Sequence, residues 1–118
     1  MSTKIENVVI ESTMLGYEDH GILTAFIFIK GSGWGGGFGG YGMDSYDKKQ
    51  DKRVGVPFCG EFIAAVLSTV GVDKWESLKG KHIRVESEGW GGTIRRIGHI
   101  IEDKWFDPKE LAERLKSA

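Results

Sequence analysis

Residues Gly31 to Gly42 read GSGWGGGFGGYG. Without a Cβ, glycine admits close backbone approaches and positive φ angles, and it loses the most conformational freedom when ordered. The tract is too glycine-rich to start a helix, which leaves an irregular loop. The tract contains G-x-G-x-x-G at Gly31, Gly33 and Gly36, directly after an apolar run. As a dinucleotide-binding turn that pattern must open a helix whose N-terminus meets a pyrophosphate, and Gly35 to Gly42 is too glycine-rich to begin one. No Gly-Lys-Ser or Gly-Lys-Thr is present to make a nucleotide-hydrolase phosphate loop. The reading is an irregular loop in which Trp34, Phe38 and Tyr41 are spaced by residues that let backbone or ligand approach closely; a bulged edge or a subunit contact would use the same glycines. A β-branched residue at Gly37 is expected to disrupt that pocket or an assembly built on it.

The 118 residues suit one domain, 1–118, able to bury its own core. Sixteen basic against 17 acidic residues give a net charge of -1, too little field to draw in duplex nucleic acid, so an anion site must be a local grouping of Arg and Lys. Cys59 is the single cysteine, which excludes an intramolecular disulfide and suits a reducing compartment. The opening MSTKIENVVIES has no basic stretch followed by a long apolar one, and no run is long enough to span a bilayer. The expectation is a cytoplasmic protein with no membrane partner.

Hydrophobic periodicity predicts an α+β fold, a mostly antiparallel sheet with a main helix over 58–70 and a C-terminal helix near 107–117. A first strand is expected over Ile5 to Ile10, and Met14 to His20 reads as a polar turn. Gly21 to Ile29 reads as a strand apolar on both faces, with Leu23, Ala25, Ile27 and Ile29 on one of them. Pro57 and Glu61 mark the start of the main helix and Gly71 its end. Asp73 and Glu76 have capping-box spacing, as do Asp107 and Glu110 around Pro108. Lys81 to Ser87 and Thr93 to Ile101 are expected to form a hairpin, and Asp44 to Arg53 a solvated loop.

In the second strand of that hairpin, strict alternation places Arg95, Ile97 and His99 on one face and Arg96 and Gly98 on the other. Guanidinium forks pair with phosphate oxygens, and an indole such as that of Trp90 can stack on a base. A solvated hairpin with ordinary ion pairs is the alternative. Tyr17 and Arg53 join Trp34, Phe38, Trp90, Arg95, Arg96 and His99 as candidate ligand-binding residues. No catalytic or metal-ligating set is assigned. Glu18, Asp19 and His20 are consecutive in a turn and point apart, and Cys59 sits among Pro57, Phe58 and Phe62 as a small packed residue.

Three blocks, LGYEDHGILTAFI, GFGGYGMD with the following DSYDKK, and RIGHIIEDKWF, resemble small proteins of phages and prophages, specifically the Thoeris anti-defence sponge family of the first type. That resemblance implies a non-enzymatic phage protein of the host cytoplasm that sequesters cyclic nucleotide immune signals, whether glycocyclic ADP-ribose isomers or cyclic di- or trinucleotides, and requires no cofactor. It also implies a homo-oligomer, dimers joined into a ring-like complex such as a hexamer, with aromatic and Arg residues at a subunit interface. A direct protein inhibitor of a host defence nuclease and a single-stranded nucleic-acid binder are the alternatives.

Overall fold

The structure, a computed structural model, describes residues 3–17, 21–88 and 93–117. Among these residues, eight strands and two α-helices run in the order β1 (Lys4–Tyr17), β2 (Leu23–Gly31), β3 (Trp34–Gly39), β4 (Asp44–Asp47), β5 (Lys52–Gly55), α1 (Pro57–Val70), β6 (His82–Ser87), β7 (Ile94–Gly98), β8 (Trp105–Phe106) and α2 (Pro108–Ser117). Six strands form one antiparallel sheet in the order β3-β2-β1-β6-β7-β8, and β4 and β5 form a separate hairpin. The expected α+β class is the one observed.

The core lies on one face of the large sheet. Val8 and Ile10 from β1, Ala25, Ile27 and Ile29 from β2, Ile83 and Val85 from β6 and Ile97 from β7 are all buried there. The predicted apolar face of β2 is therefore the inward one. Helix α1 presents Phe62, Val66 and Val70 to that face, at the helical spacing read from sequence. The sheet curls, so that Phe38 on one edge strand and Phe106 on the other come within 6.3 Å, each also packed on Phe62. Burying each such ring contributes about 1.5–3 kcal/mol.

Both helix ends rest on local chemistry. Gly71 takes the left-handed conformation, φ 89°, and its N–H closes on the Leu67 carbonyl at 2.8 Å. The Asp107 carboxylate accepts the Lys109 N–H at 2.9 Å and caps α2 behind Pro108, as expected. Glu61, by contrast, falls past the first turn of α1, and that turn holds no acidic residue. Asp73 is not a cap: the residue ahead of the short 3-10 turn Trp75–Ser77 is Lys74, and no side chain bonds there.

Three expectations about strands are corrected. β1 continues through Met14 to Tyr17 instead of turning, because β2 supplies a partner at every step from Leu23 to Lys30. The glycine tract is a strand, not an irregular loop: Trp34–Gly39 pairs in register with Phe26–Gly31. The segment 44–53, read as a loop, is the β4–β5 hairpin.

The demand for glycine falls at particular positions of the tract. At Gly39, φ is +116° and a Cβ would lie 2.3 Å from the Ala25 carbonyl oxygen; at Gly40, φ is +80° and a Cβ would press on the Phe26 ring at 2.7 Å. Gly37 has no positive φ, and a Cβ there would meet only the Phe26 and Phe28 rings at 3.8 Å. The sequence-based expectation for Gly37 thus belongs to Gly39. Thermal melts should show Gly39→Ala losing about 2 kcal/mol or more and Gly37→Ala staying within about 1 kcal/mol of the parent. Equal melting curves for the two variants would place the constraint elsewhere.

Candidate functional site

A bulge in β7 decides the geometry of the arginine pair. Glu86 pairs with Arg96 but Ser87 pairs with Ile94, so Arg95 is the extra residue. Ile94 and Ile97 are both buried, at 6% and 0% exposure, which turns Arg95 and Arg96 to the outer side together. The alternation that put the two guanidiniums on opposite faces is therefore corrected. They converge on one carboxylate.

Glu86, only 6% exposed, accepts the Arg96 Nε at 2.8 Å and Nη2 at 2.7 Å, and its other oxygen lies 3.7 Å from Arg95 Nη1. Arg95 also reaches Asp107 through Nε at 3.3 Å while keeping a side chain that is 52% exposed. The carboxylate that caps α2 thus also anchors Arg95, tying the helix start to the bulge. Beside this pair the Trp105 indole lies over Gly98, where a Cβ would be 2.6 Å from the ring. The guanidiniums of Arg96 and Arg84 stand 4.3 Å and 4.8 Å from the ring centroid, inside the range of cation–π attraction.

Arg84 is held in turn by the His99 carbonyl through Nε at 2.7 Å and the Glu102 carbonyl through Nη2 at 2.7 Å. His99 Nδ1 accepts the N–H groups of Ile101 and Glu102 at 3.0 and 2.9 Å, so this imidazole braces a turn and is not free to meet a ligand through that atom. Its Nε2 is 3.5 Å from a Glu102 carboxylate oxygen.

A cavity of about 530 Å³ opens next to Arg95, with Tyr41, Glu88, Thr93, Asp107, Lys109 and Glu110 in its wall. Tyr41 packs against Phe58 and Phe62. Burial, and then the negative charge of Asp107, raise its phenol above the ordinary tyrosine range. Glu113 lines the same cavity, so carboxylates outnumber cations around it. An anionic guest therefore competes with Asp107 and Glu86 for Arg95.

The other candidates lie apart. Phe38 is 1% exposed and lies in the core. Trp34 is partly buried, and its ring and the Ile94 side chain crowd the same point above Gly36, which seats it beside the bulge strand. Trp90 lies outside the described residues, as do Glu18, Asp19 and His20.

Tyr17 and Arg53 form a group of their own. Arg53 donates Nε and Nη2 to the Asp44 carboxylate at 3.0 and 2.9 Å, and Tyr17 pairs with Leu23, whose N–H reaches the same carboxylate at 3.3 Å. From Ile5, opposite Glu86, β1 runs to Tyr17. At about 3.3 Å per residue that is roughly 40 Å. Within one chain, the Arg95–Arg96 group and the Tyr17–Arg53 group cannot line one small-molecule pocket.

Sequence reasoning missed Arg84, Glu86 and Trp105. Arg84 and Glu86 were legible as the polar face of a strand, but their pairing with β7 depends on register. No protein-family model matches the chain, and no curated protein or solved structure matches it either. Among the described residues, no group of three or more His, Cys, Asp or Glu is arranged to hold a metal ion.

Asp44 gives this end of the molecule a pH dependence. Hydrogen bonds from Arg53 hold its carboxyl below the ordinary range, helped by the Leu23 N–H and opposed by burial. A depressed carboxyl contributes stability that is complete above its unfolded-state value and disappears as pH falls through the folded-state value. Acid-side thermal melts of Asp44→Asn should therefore be flatter than those of the parent, with the two curves converging at the lowest pH. A parent-like acid limb in Asp44→Asn would remove this pair from the acid sensitivity.

Proposed function

We propose that this chain captures a cyclic nucleotide signal and releases it chemically unchanged, acting as a phage-type counter-defence protein in the cytoplasm of a host cell. The observation that carries the reading is the convergence of Arg95 and Arg96 on Glu86 at one bulge, with Arg95 in the wall of a cavity of about 530 Å³ and Arg96 against the Trp105 indole. A phosphate offers Arg95 paired acceptors where Asp107 now supplies a single oxygen, Oδ2 at 3.3 Å, and the half-exposed Arg95 side chain can turn to it while Arg96 stays on Glu86. Flat rings then hold the base by stacking. Trp34 and Trp90 are the candidate platforms.

The three sequence blocks that resemble the Thoeris anti-defence sponges support the same class of guest, namely glycocyclic ADP-ribose isomers or cyclic di- or trinucleotides. They also support a homo-oligomer, dimers assembled into a larger ring such as a hexamer. The separation of the two arginine groups by the length of β1 agrees with sites completed between copies. In this reading the protein is not an enzyme and needs no cofactor.

The decisive experiment incubates the protein with each candidate nucleotide, removes unbound ligand, denatures the protein by heat and identifies what is released by mass spectrometry. Intact nucleotide is expected. Altered nucleotide would mean an enzyme, and no retained nucleotide would leave the reading without its central claim. In calorimetry, Arg95→Ala should weaken binding at least tenfold, about 1.4 kcal/mol, with the thermal midpoint little changed. Affinity falling steeply with salt over several nucleotides of single-stranded nucleic acid would favour the binder of such strands instead.

A further inference from the structure

β1 has different neighbours along its two halves. β6 pairs with Lys4 through Val9. The chain just ahead of β6 adds the Ile10 N–H to the Lys81 carbonyl at 2.8 Å and the Gly80 N–H to the Ile10 carbonyl at 2.7 Å. Beyond Ile10, among the described residues, β1 pairs with β2 alone as far as Tyr17. The shift in register between Ile10 and Ser12 marks a bulge at this parting of the two ladders. Bulges bend the strand that carries them, and this one lies where β1 leaves β6 behind.

The open edge has a definite pattern of donors and acceptors. In an antiparallel ladder, directly opposed residues either exchange hydrogen bonds or both point their backbone groups away. The Ala25 and Leu23 carbonyls point away from β1, to the Gly40 and Met43 N–H groups, each at 2.8 Å. Their opposites, Leu15 and Tyr17, therefore present N–H and C=O to the open side, and Thr13, opposite Ile27, does the same by alternation. Sheet edges are ordinarily guarded by lysine, proline, shortness or a covering element. Ser12 to Tyr17 reads STMLGY, with no charge and no proline, and Leu15 and Tyr17 on it are 42% and 69% exposed.

We propose that a second copy of this chain pairs with this edge, antiparallel, about a two-fold axis through Leu15. In that register Leu15 faces the partner's Leu15 and Thr13 faces the partner's Tyr17. Every outward N–H and C=O of these residues then finds a mate, in about six hydrogen bonds. Moving the axis to Met14 would set Tyr17 against the bulge at Glu11 and leave its groups unmatched. The occupant is a copy because an uncharged run meets itself without like charges in opposition, and a two-fold axis makes each gain count twice. The pairing joins the two β1–β2 hairpins into one layer and covers Leu15 and Tyr17. It deepens the proposed function and rests on it only for the statement that the chain self-associates.

Sedimentation velocity at tens of micromolar, above the dissociation constants usual for specific dimers, measures the assembly directly. The full chain should sediment as a dimer or a multiple of one. Leu15→Pro removes an N–H that points to the open side and spares the ladder to β2, so it should raise the dimer dissociation constant at least tenfold with an unchanged circular dichroism spectrum. Leu15→Lys, which keeps the backbone and sets like charges across the axis, should do the same if proline disturbs folding. In a Cys59→Ser background, Leu15→Cys should give a disulfide-linked dimer under mild oxidation and Met14→Cys should not. A monomeric parent, parent-like mass in both Leu15 variants, or cross-linking through Met14 would each overturn the proposal. Nucleotide capture is scored separately: a parent that dimerises through Leu15 yet retains no nucleotide counts against the sponge reading alone.

Discussion

Phe62 stands where three parts of the chain that share no backbone ladder meet. Its ring is 6.0 Å from Phe38 on one edge strand and 5.3 Å from Phe106 on the other, and it also touches Phe58 and Tyr41. A six-stranded sheet left flat would expose its inner face at both margins. Drawing the margins toward one aromatic ring on α1 closes the face and fixes how far the sheet must curl. The glycines of β3 belong to the same requirement. Where the chain leaves that strand, Gly39 passes over the Ala25 carbonyl at a separation that a Cβ would forbid, so Phe38 can reach inward while the backbone turns away.

The electrostatic features hang on that closed core. With Ile94 and Ile97 both turned inward, β7 has one residue too many for its ladder, and Arg95 is pushed out beside Arg96. The cost of burying Glu86 is offset by the guanidiniums it holds, and Asp107 serves both the N-terminus of α2 and Arg95. The two carboxylates are thus held internally while Arg95 stays half exposed. An anion that reaches Arg95 competes with them, which favours guests carrying phosphate over weaker acceptors.

Much of the local structure could be read from residue patterns. The spacing of Phe62, Val66 and Val70, the stop at Gly71, the cap at Asp107 and the inward set Leu23, Ala25, Ile27 and Ile29 each depend on neighbours within a few residues. The failures share a cause as well. Met14 to Tyr17 looked like a turn because its polarity suits one, and it is a strand because β2 lies alongside. Glycine in 34–39 argues against regular structure on propensity, yet the ladder to Phe26–Gly31 overrides it. Among the candidate ligand residues, Arg95 and Arg96 do come together, whereas Phe38 is core and Tyr17 with Arg53 occupies the far end of β1.

The sequence by itself determined which segments are helical, which residues face the core on β2 and α1, and that a glycine tract must lie against something close. Those properties follow from side-chain periodicity and backbone freedom, which act over a few residues. Tertiary structure alone decided the bulge at Arg95, the grip of Glu86 on two guanidiniums, the seat of Trp105 on Gly98 and the open edge of β1. Each of these depends on the register between strands distant in sequence. A shift of one residue there exchanges the two faces without altering any local preference.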